Sequence, residues 1–204
     1  MANTVTVAHQ SVPVPFHACA LFRDEEEQYR VLLPFVHEGF ERGDRSIHIT
    51  DRSRHDAHRQ RLNTALAEPA EDQGRFLLRA WQELYLQDGC FEQDRMLANV
   101  EQMMQEGVRE GYAVSRVWAD MGWAQESFPG VEDLVEYECR ANLILDNYNG
   151  CVVCTYDLRR FSAALVVDII RVHPMVIVGG MLQVNPFYTP PEEMLEELRR
   201  RHTP

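Results

Sequence analysis

Phe16-His17-Ala18-Cys19-Ala20-Leu21-Phe22, followed at once by Arg23-Asp24-Glu25-Glu26-Glu27, decides how this chain is read. The first seven residues carry no Asp, Glu, Lys or Arg and show no polar alternation. Such a short uncharged run suits a strand buried on both faces, the usual state of a central parallel strand. The acidic residues that follow open a helix. Asp24 and Glu27 have capping-box spacing, and Tyr29, Leu32, Leu33, Val36 and Phe40 recur at helical intervals until Gly43. Pro34 lies inside that helix and predicts a bend or a split.

The same alternation continues outward. Arg45 to Thr50 reads as a strand, and Ser53 with Asp56 caps a second helix. Arg75 to Trp81 is a strand, and Phe91 to Glu110 is a long helix with Met96, Leu97, Val100, Met103, Met104 and Val108 on one core face. Strands over Val114 to Met121 and Cys151 to Tyr156 alternate with helices over Val131 to Asp146 and Ser162 to Arg171. Met175 to Val184 holds one or two strands broken by Gly179-Gly180. The pattern predicts an α/β fold of three layers, with a mainly parallel central sheet flanked by helices. Residues 1–15 read as a flexible tail, and 16–204 as a single domain whose last helix spans 191–201.

The 204 residues are 45% hydrophobic and 25% charged, enough for one sizeable core. Twenty Lys and Arg against 32 Asp and Glu give a net charge of −12, with no basic cluster longer than Arg199-Arg200-Arg201. That balance argues against direct nucleic-acid binding. Apolar runs fall short of the ~20 residues of a bilayer span, and the N-terminus lacks a signal pattern, so a soluble cytoplasmic protein is expected. Five cysteines without an export signal point to free thiols.

In such sheets ligands bind at the carboxyl ends of the strands. A phosphate cradle after the first strand would need glycines, a Lys and a Ser or Thr, whereas Asp24 to Glu27 place carboxylates there. Cys151 and Cys154 have CxxC spacing, but on a strand residues three apart face opposite sides ~10 Å apart, which suits two buried structural thiols. His17 and Cys19 share a strand face and could meet a common ligand or metal. Glu138 sits on the apolar stripe of its helix, an expensive place for a carboxylate, and His173 precedes Pro174 at the entry to the last strands. Trp118, Asp120 and Trp123 end a strand where aromatic residues can wall a pocket and Asp120 can orient a ligand or cap the next segment. No nucleophile elbow is present.

Several motifs occur in a recognisable order: His17-Ala-Cys19, Pro34-Phe35-x-x-Glu38-Gly39 before Gly43-Asp44, Tyr137-Glu138 with Asn142, Cys154-x-Tyr156-Asp157, His173-Pro174, and Asn185-Pro186-Phe187-Tyr188 with Pro190-Pro191. From Val14 to Pro191 the chain resembles the MEDS domain, the methanogen/methylotroph sensory domain of the dichloromethane-responsive regulator. The resemblance implies a RecA/KaiC-like fold without the phosphate loop. It also implies a non-catalytic module that binds a hydrocarbon derivative or metabolite and signals to other domains. On that basis His17, Cys19, Glu138, Cys154 and His173 are the carried-over ligand-binding residues, and Asp120 and Trp123 join them from the strand-end reading. No cofactor is expected. Output is expected through a separate histidine kinase, anti-sigma type regulator or transcription factor, and homo-oligomerisation stays open. Two alternatives accompany this reading. One is a metal or haem sensor using His17, Cys19, Cys154 and His173; the other is a degenerate nucleotide-binding protein without hydrolysis, supported by Arg23, Arg159 and Arg160.

Overall fold

Every residue of Phe16–Phe22 is buried, and the strand they form lies inside a seven-stranded sheet. The computed structural model describes residues 4–66, 69–70 and 74–202. In chain order the elements are β1 (Thr4–Val7), β2 (Gln10–Pro13), β3 (Phe16–Phe22), α1 (Glu25–Arg42), β4 (Arg45–Thr50), α2 (His55–Leu66), β5 (Phe76–Ala80), α3 (Trp81–Leu84), α4 (Gln93–Arg109), β6 (Ser115–Asp120), α5 (Leu134–Leu145), β7 (Gly150–Asp157), α6 (Ala163–Val172), β8 (Met175–Val178), β9 (Met181–Val184) and α7 (Pro191–His202). The sheet order is β5-β4-β6-β7-β3-β8-β9. All pairings are parallel except β8 with β9. The three-layer α/β expectation describes this arrangement.

Alternation along β3 splits the core in two. Cys19 and Leu21 join β4, β6 and β7 residues beneath α4 and α5, where Met96, Val100, Met104, Tyr137 and Ala141 pack. Ala18, Ala20 and Phe22 face the other way, onto Leu32, Phe35, Val36 and Phe40 of α1 and Leu62 of α2. Cys154 lies in the first layer and Cys151 in the second, as strand geometry requires. Mild oxidation is therefore expected to leave these two thiols unjoined, and alkylation of folded protein to label half-exposed Cys90 first, the other four thiols being buried. Peptide mapping that found a Cys151–Cys154 disulfide in folded protein would contradict the layer assignment.

Asp24 caps α1 by accepting from the Glu27 N–H at 2.8 Å. The helix runs through Pro34 as one element, so the proline does not split it. Three local expectations are corrected. Residues 4–13, read as tail, form a hairpin whose Val5, Val7 and Val12 are buried against α1, with the Thr6 N–H donating to Glu38 at 2.8 Å. The period-two alternation of Thr4-Val5-Thr6-Val7 was the signal; it was masked because Ala8 and His9, not glycine or asparagine, take the positive-φ turn positions. Residues 1–3 of that span lie outside the described residues. The cap before α2 is Asp51, which accepts from the Ser53 N–H at 2.9 Å, so Ser53 donates its backbone here where its side chain was expected to accept. Leu33 is half-exposed, because Leu32 and Val36 already fill the stripe facing the sheet. At the far edge, Gly179 and Gly180 adopt φ of 58° and 76°, a turn that lets β8 and β9 pair directly.

Candidate functional site

The parallel register sets Cys19 beside Cys154 and His17 beside Val152, so His17 and Cys154 project into the same layer one step apart. Helix α5 crosses that layer and directs Glu138, fully buried, at both. The loop after α6 adds His173, also fully buried. The outcome is a quartet in which Glu138 Oε2 lies 3.3 Å from His17 Nε2, 3.4 Å from His173 Nε2 and 3.8 Å from Cys154 Sγ. His17 Nε2 also lies 3.4 Å from Cys154 Sγ. One donor atom from each of the four residues falls within 4.8 Å of the others.

Surrounding groups hold each member in place. Asn142 donates its amide hydrogens to backbone carbonyls of Glu138, Cys139 and Val172, which leaves its Oδ1 facing His17 Nδ1 at 3.0 Å. His17 Nδ1 must therefore carry the proton. His173 Nδ1 donates to the Ile169 carbonyl at 2.7 Å, and Tyr156 Oη donates to Glu138 Oε1 at 2.7 Å. Burial opposes ionisation of Glu138, but the charge and N–H groups that His173 and His17 present to Oε2 when protonated at Nε2 outweigh it and keep the carboxyl below its usual range. Burial, then His17, holds the His173 imidazole below its ordinary value against the pull of Glu138. Burial and the Glu138 charge push the Cys154 thiol up.

His17, Glu138 and Cys154 also line a small internal cavity of about 20 Å³ whose remaining lining is apolar and aromatic, including Ile49, Tyr85, Val100, Met103, Met104 and Tyr137. At the carboxyl ends of the strands lies a separate polar crevice of about 80 Å³, lined by Asp24, Glu25, Arg54, Asp120, Asp157, Arg159 and Arg160 among others. There the helix α1 entrance is filled from within, since Glu27 accepts from the Arg23 N–H at 2.9 Å.

The profile of the methanogen/methylotroph, DcmR sensory domain, MEDS, matches residues 16–174. The chain belongs to the MEDS family. No curated protein matches it. Among solved structures, the KaiC-like protein PH0186 of Pyrococcus horikoshii OT3 superposes with a TM-score of 0.51 at 11% identity, covering 80% of this chain and 70% of that one. The flagellar accessory protein FlaH of Methanocaldococcus jannaschii gives 0.52 at 10% identity, covering 87% and 76%. These likenesses show a RecA/KaiC-like fold.

Within this MEDS domain the structure divides the expected site residues. His17, Glu138, Cys154 and His173 converge. Cys19 does not: although it is the register partner of Cys154, its thiol is directed to the other neighbouring strand, 4.0 Å from the Met175 carbonyl of β8. Asp120 sits in the polar crevice, capping the Gly122 N–H at 2.9 Å. Trp123 is fully buried and stacks on Tyr85 with ring centroids 4.6 Å apart, so it backs a cavity-lining residue without lining the cavity itself. Asn142 and Tyr156 belong to the recognised motifs but were not read as site residues, since their roles depend on which carbonyl or carboxylate the fold brings near. A second array escaped sequence reading altogether. Ser46 Oγ, His48, His58 and Tyr29 Oη form a buried hydrogen-bonded chain at 3.0, 2.7 and 2.5 Å beside Trp118. Among the described residues no helix is long and apolar enough to cross a membrane.

Proposed function

We infer that this MEDS domain is a non-catalytic sensor that takes a one- or two-carbon organic molecule into the small internal cavity beneath α4 and α5. The carrying observation is that His17, Glu138 and Cys154 emerge on the wall of an otherwise apolar enclosure. Such a pocket offers dispersion to an apolar body and a few polar atoms for orientation. Its size favours the smallest guests, because a cavity of about 20 Å³ holds roughly one water, so that even a one-carbon halide needs the lining to give, whereas benzene needs on the order of 150 Å³. Met103 and Met104 on the α4 side are the side chains best able to shift around a larger guest. Output then passes by protein contact to a signalling partner of the kinase or transcription-regulator class.

Support against a nucleotide role comes from the crevice. Arg54 is paired with Glu25 at 2.7 Å and Arg159 with Asp157 at 2.6 Å, and at the α1 entrance the Glu27 N–H and the preceding Arg23 N–H are met by carboxylates of the chain itself. Mg-ATP at millimolar concentration is expected to give neither stabilisation nor turnover.

The test is thermal denaturation with dichloromethane and related one-carbon halides. A saturable rise in melting temperature is expected for wild type and for Leu32→Ala, a core control in the opposite layer. Ala141→Leu, which adds three carbons to the cavity wall, is expected to abolish the rise. No response in wild type, or an equal response in Ala141→Leu, overturns the reading.

A further inference from the structure

The quartet is short of hydrogens. With Nδ1 of both imidazoles committed to Asn142 Oδ1 and the Ile169 carbonyl, their neutral form presents two Nε2 lone pairs to the Glu138 carboxylate, and the one remaining hydrogen is on the Cys154 thiol. His173 Nε2 is buried and, though 3.4 Å from Glu138 Oε2, is not aligned for a hydrogen bond. An unsatisfied buried nitrogen of this kind calls for a partner. A cation at the centre of the four atoms would supply one to all of them.

The spacing agrees with this. Around a tetrahedral ion with ligand bonds of ~2.0–2.2 Å to nitrogen or oxygen and ~2.3 Å to sulfur, neighbouring ligand atoms lie ~3.3–3.6 Å apart. Four of the six separations here are 3.3, 3.4, 3.4 and 3.8 Å, and the donor atoms of all four residues lie within 4.8 Å of one another, so a small inward shift closes the set around an ion. Three of the four donors also have the outer support typical of metal ligands: Asn142 behind His17, the Ile169 carbonyl behind His173 and Tyr156 behind Glu138.

We propose that His17 Nε2, Glu138 Oε2, Cys154 Sγ and His173 Nε2 bind one divalent transition-metal ion, with Zn²⁺ the best match to a tetrahedral set of two imidazoles, a carboxylate and a thiolate. On binding, the Cys154 thiol releases its proton to solvent and its sulfur forms the metal bond; no electron is transferred. The site rests on the sensory reading for its purpose, because it puts an ion into the wall that the bound molecule meets. A porphyrin has no room in a cavity of about 20 Å³, so a bare ion replaces the haem alternative.

Full-length protein should be purified without chelator and its metal content measured, then stripped and titrated with Co²⁺ under visible and near-ultraviolet absorption. The expected result is close to one transition-metal ion per chain, a lower melting temperature after stripping, and tetrahedral cobalt bands with a thiolate charge-transfer band. Cys154→Ser should lose that band, and Cys19→Ser, outside the quartet, should keep it. Absence of metal and of a cobalt spectrum in wild type overturns the proposal, as does a charge-transfer band that survives Cys154→Ser. If Cys154→Ser does not fold, X-ray absorption of the wild-type metal decides, with one sulfur scatterer supporting the site and none overturning it. Metal binding without any response to one-carbon halides would overturn the sensory reading alone, and a halide response in metal-free, metal-incompetent protein would overturn this proposal alone.

Discussion

Replacing Asp44 by asparagine is expected to lower unfolding free energy by about 3–5 kcal/mol, the range for breaking a buried ion pair on one side. Arg116 on β6 and Asp44, just before β4, are both about 98% buried or more, with Nε donating to Oδ2 at 2.8 Å. Arg116 Nη1 donates to the Phe35 carbonyl at 2.7 Å, and Nη2 lies 2.9 Å from Glu38 Oε2, off the direction of a hydrogen bond. Glu38 also accepts from Thr6. One guanidinium thus ties β6 to α1 and, through Glu38, to the N-terminal hairpin. Without the Asp44 charge, Arg116 keeps only the quarter-exposed Glu38 as counter-ion. Gly39→Ala should act on the same group, because its Cβ would meet Arg116 Cδ at 2.7 Å and Nε at 2.9 Å. Asp157→Asn removes the exposed pair with Arg159 and is expected to change stability by no more than about 1 kcal/mol. Urea unfolding midpoints at constant slope are the measurement. A loss below about 1 kcal/mol for Asp44→Asn would mean that Arg116 is satisfied without its partner.

The second large effect is acid sensitivity above the carboxylate range. Burial holds His48 well below its ordinary value, helped by His58. Burial, followed by the charges of Arg54, His55, Arg59 and Arg61, lowers His58 to about 3. Both rings are therefore neutral in the folded protein and take up a proton near 6.5 only when unfolded. Their stabilisation is present in full above pH 6.5 and is lost as pH falls toward the folded value. At roughly 1.4 kcal/mol per unit, lowering pH from 6.5 to about 5 removes about 2 kcal/mol for each ring that stays neutral. Chemical denaturation across that interval should show a steep loss in wild type and a shallower one in His58→Leu, whose starting stability is lower. Equal slopes would show that His58 titrates normally in the folded state.

How much of this was legible beforehand depends on how local the cause is. The uncharged Phe16–Phe22 run, the Asp24/Glu27 cap and the Met stripe of α4 each declare their element within a few residues, and a layered, mainly parallel α/β fold follows once strands and helices alternate, whereas the strand order does not. The opposite facing of Cys151 and Cys154 is also local, being a matter of strand parity. The N-terminal hairpin was equally local but hidden by a turn without glycine or asparagine.

By itself, the sequence determined the layer architecture, the absence of a phosphate cradle after the first strand, and a set of polar residues placed on apolar elements, His17, Cys19, Glu138 and His173, to which the family resemblance added Cys154. Tertiary structure alone decided which of them meet. Parallel pairing of β3 with β7 sets His17 near Cys154 across 137 residues, and the crossing of α5 aims Glu138 rather than Asp120 at them. The same packing directs Cys19 toward β8 and joins His48 to His58. Periodicity reports the face a side chain takes, whereas its partner is set by register and helix placement, which depend on the packing of the whole core.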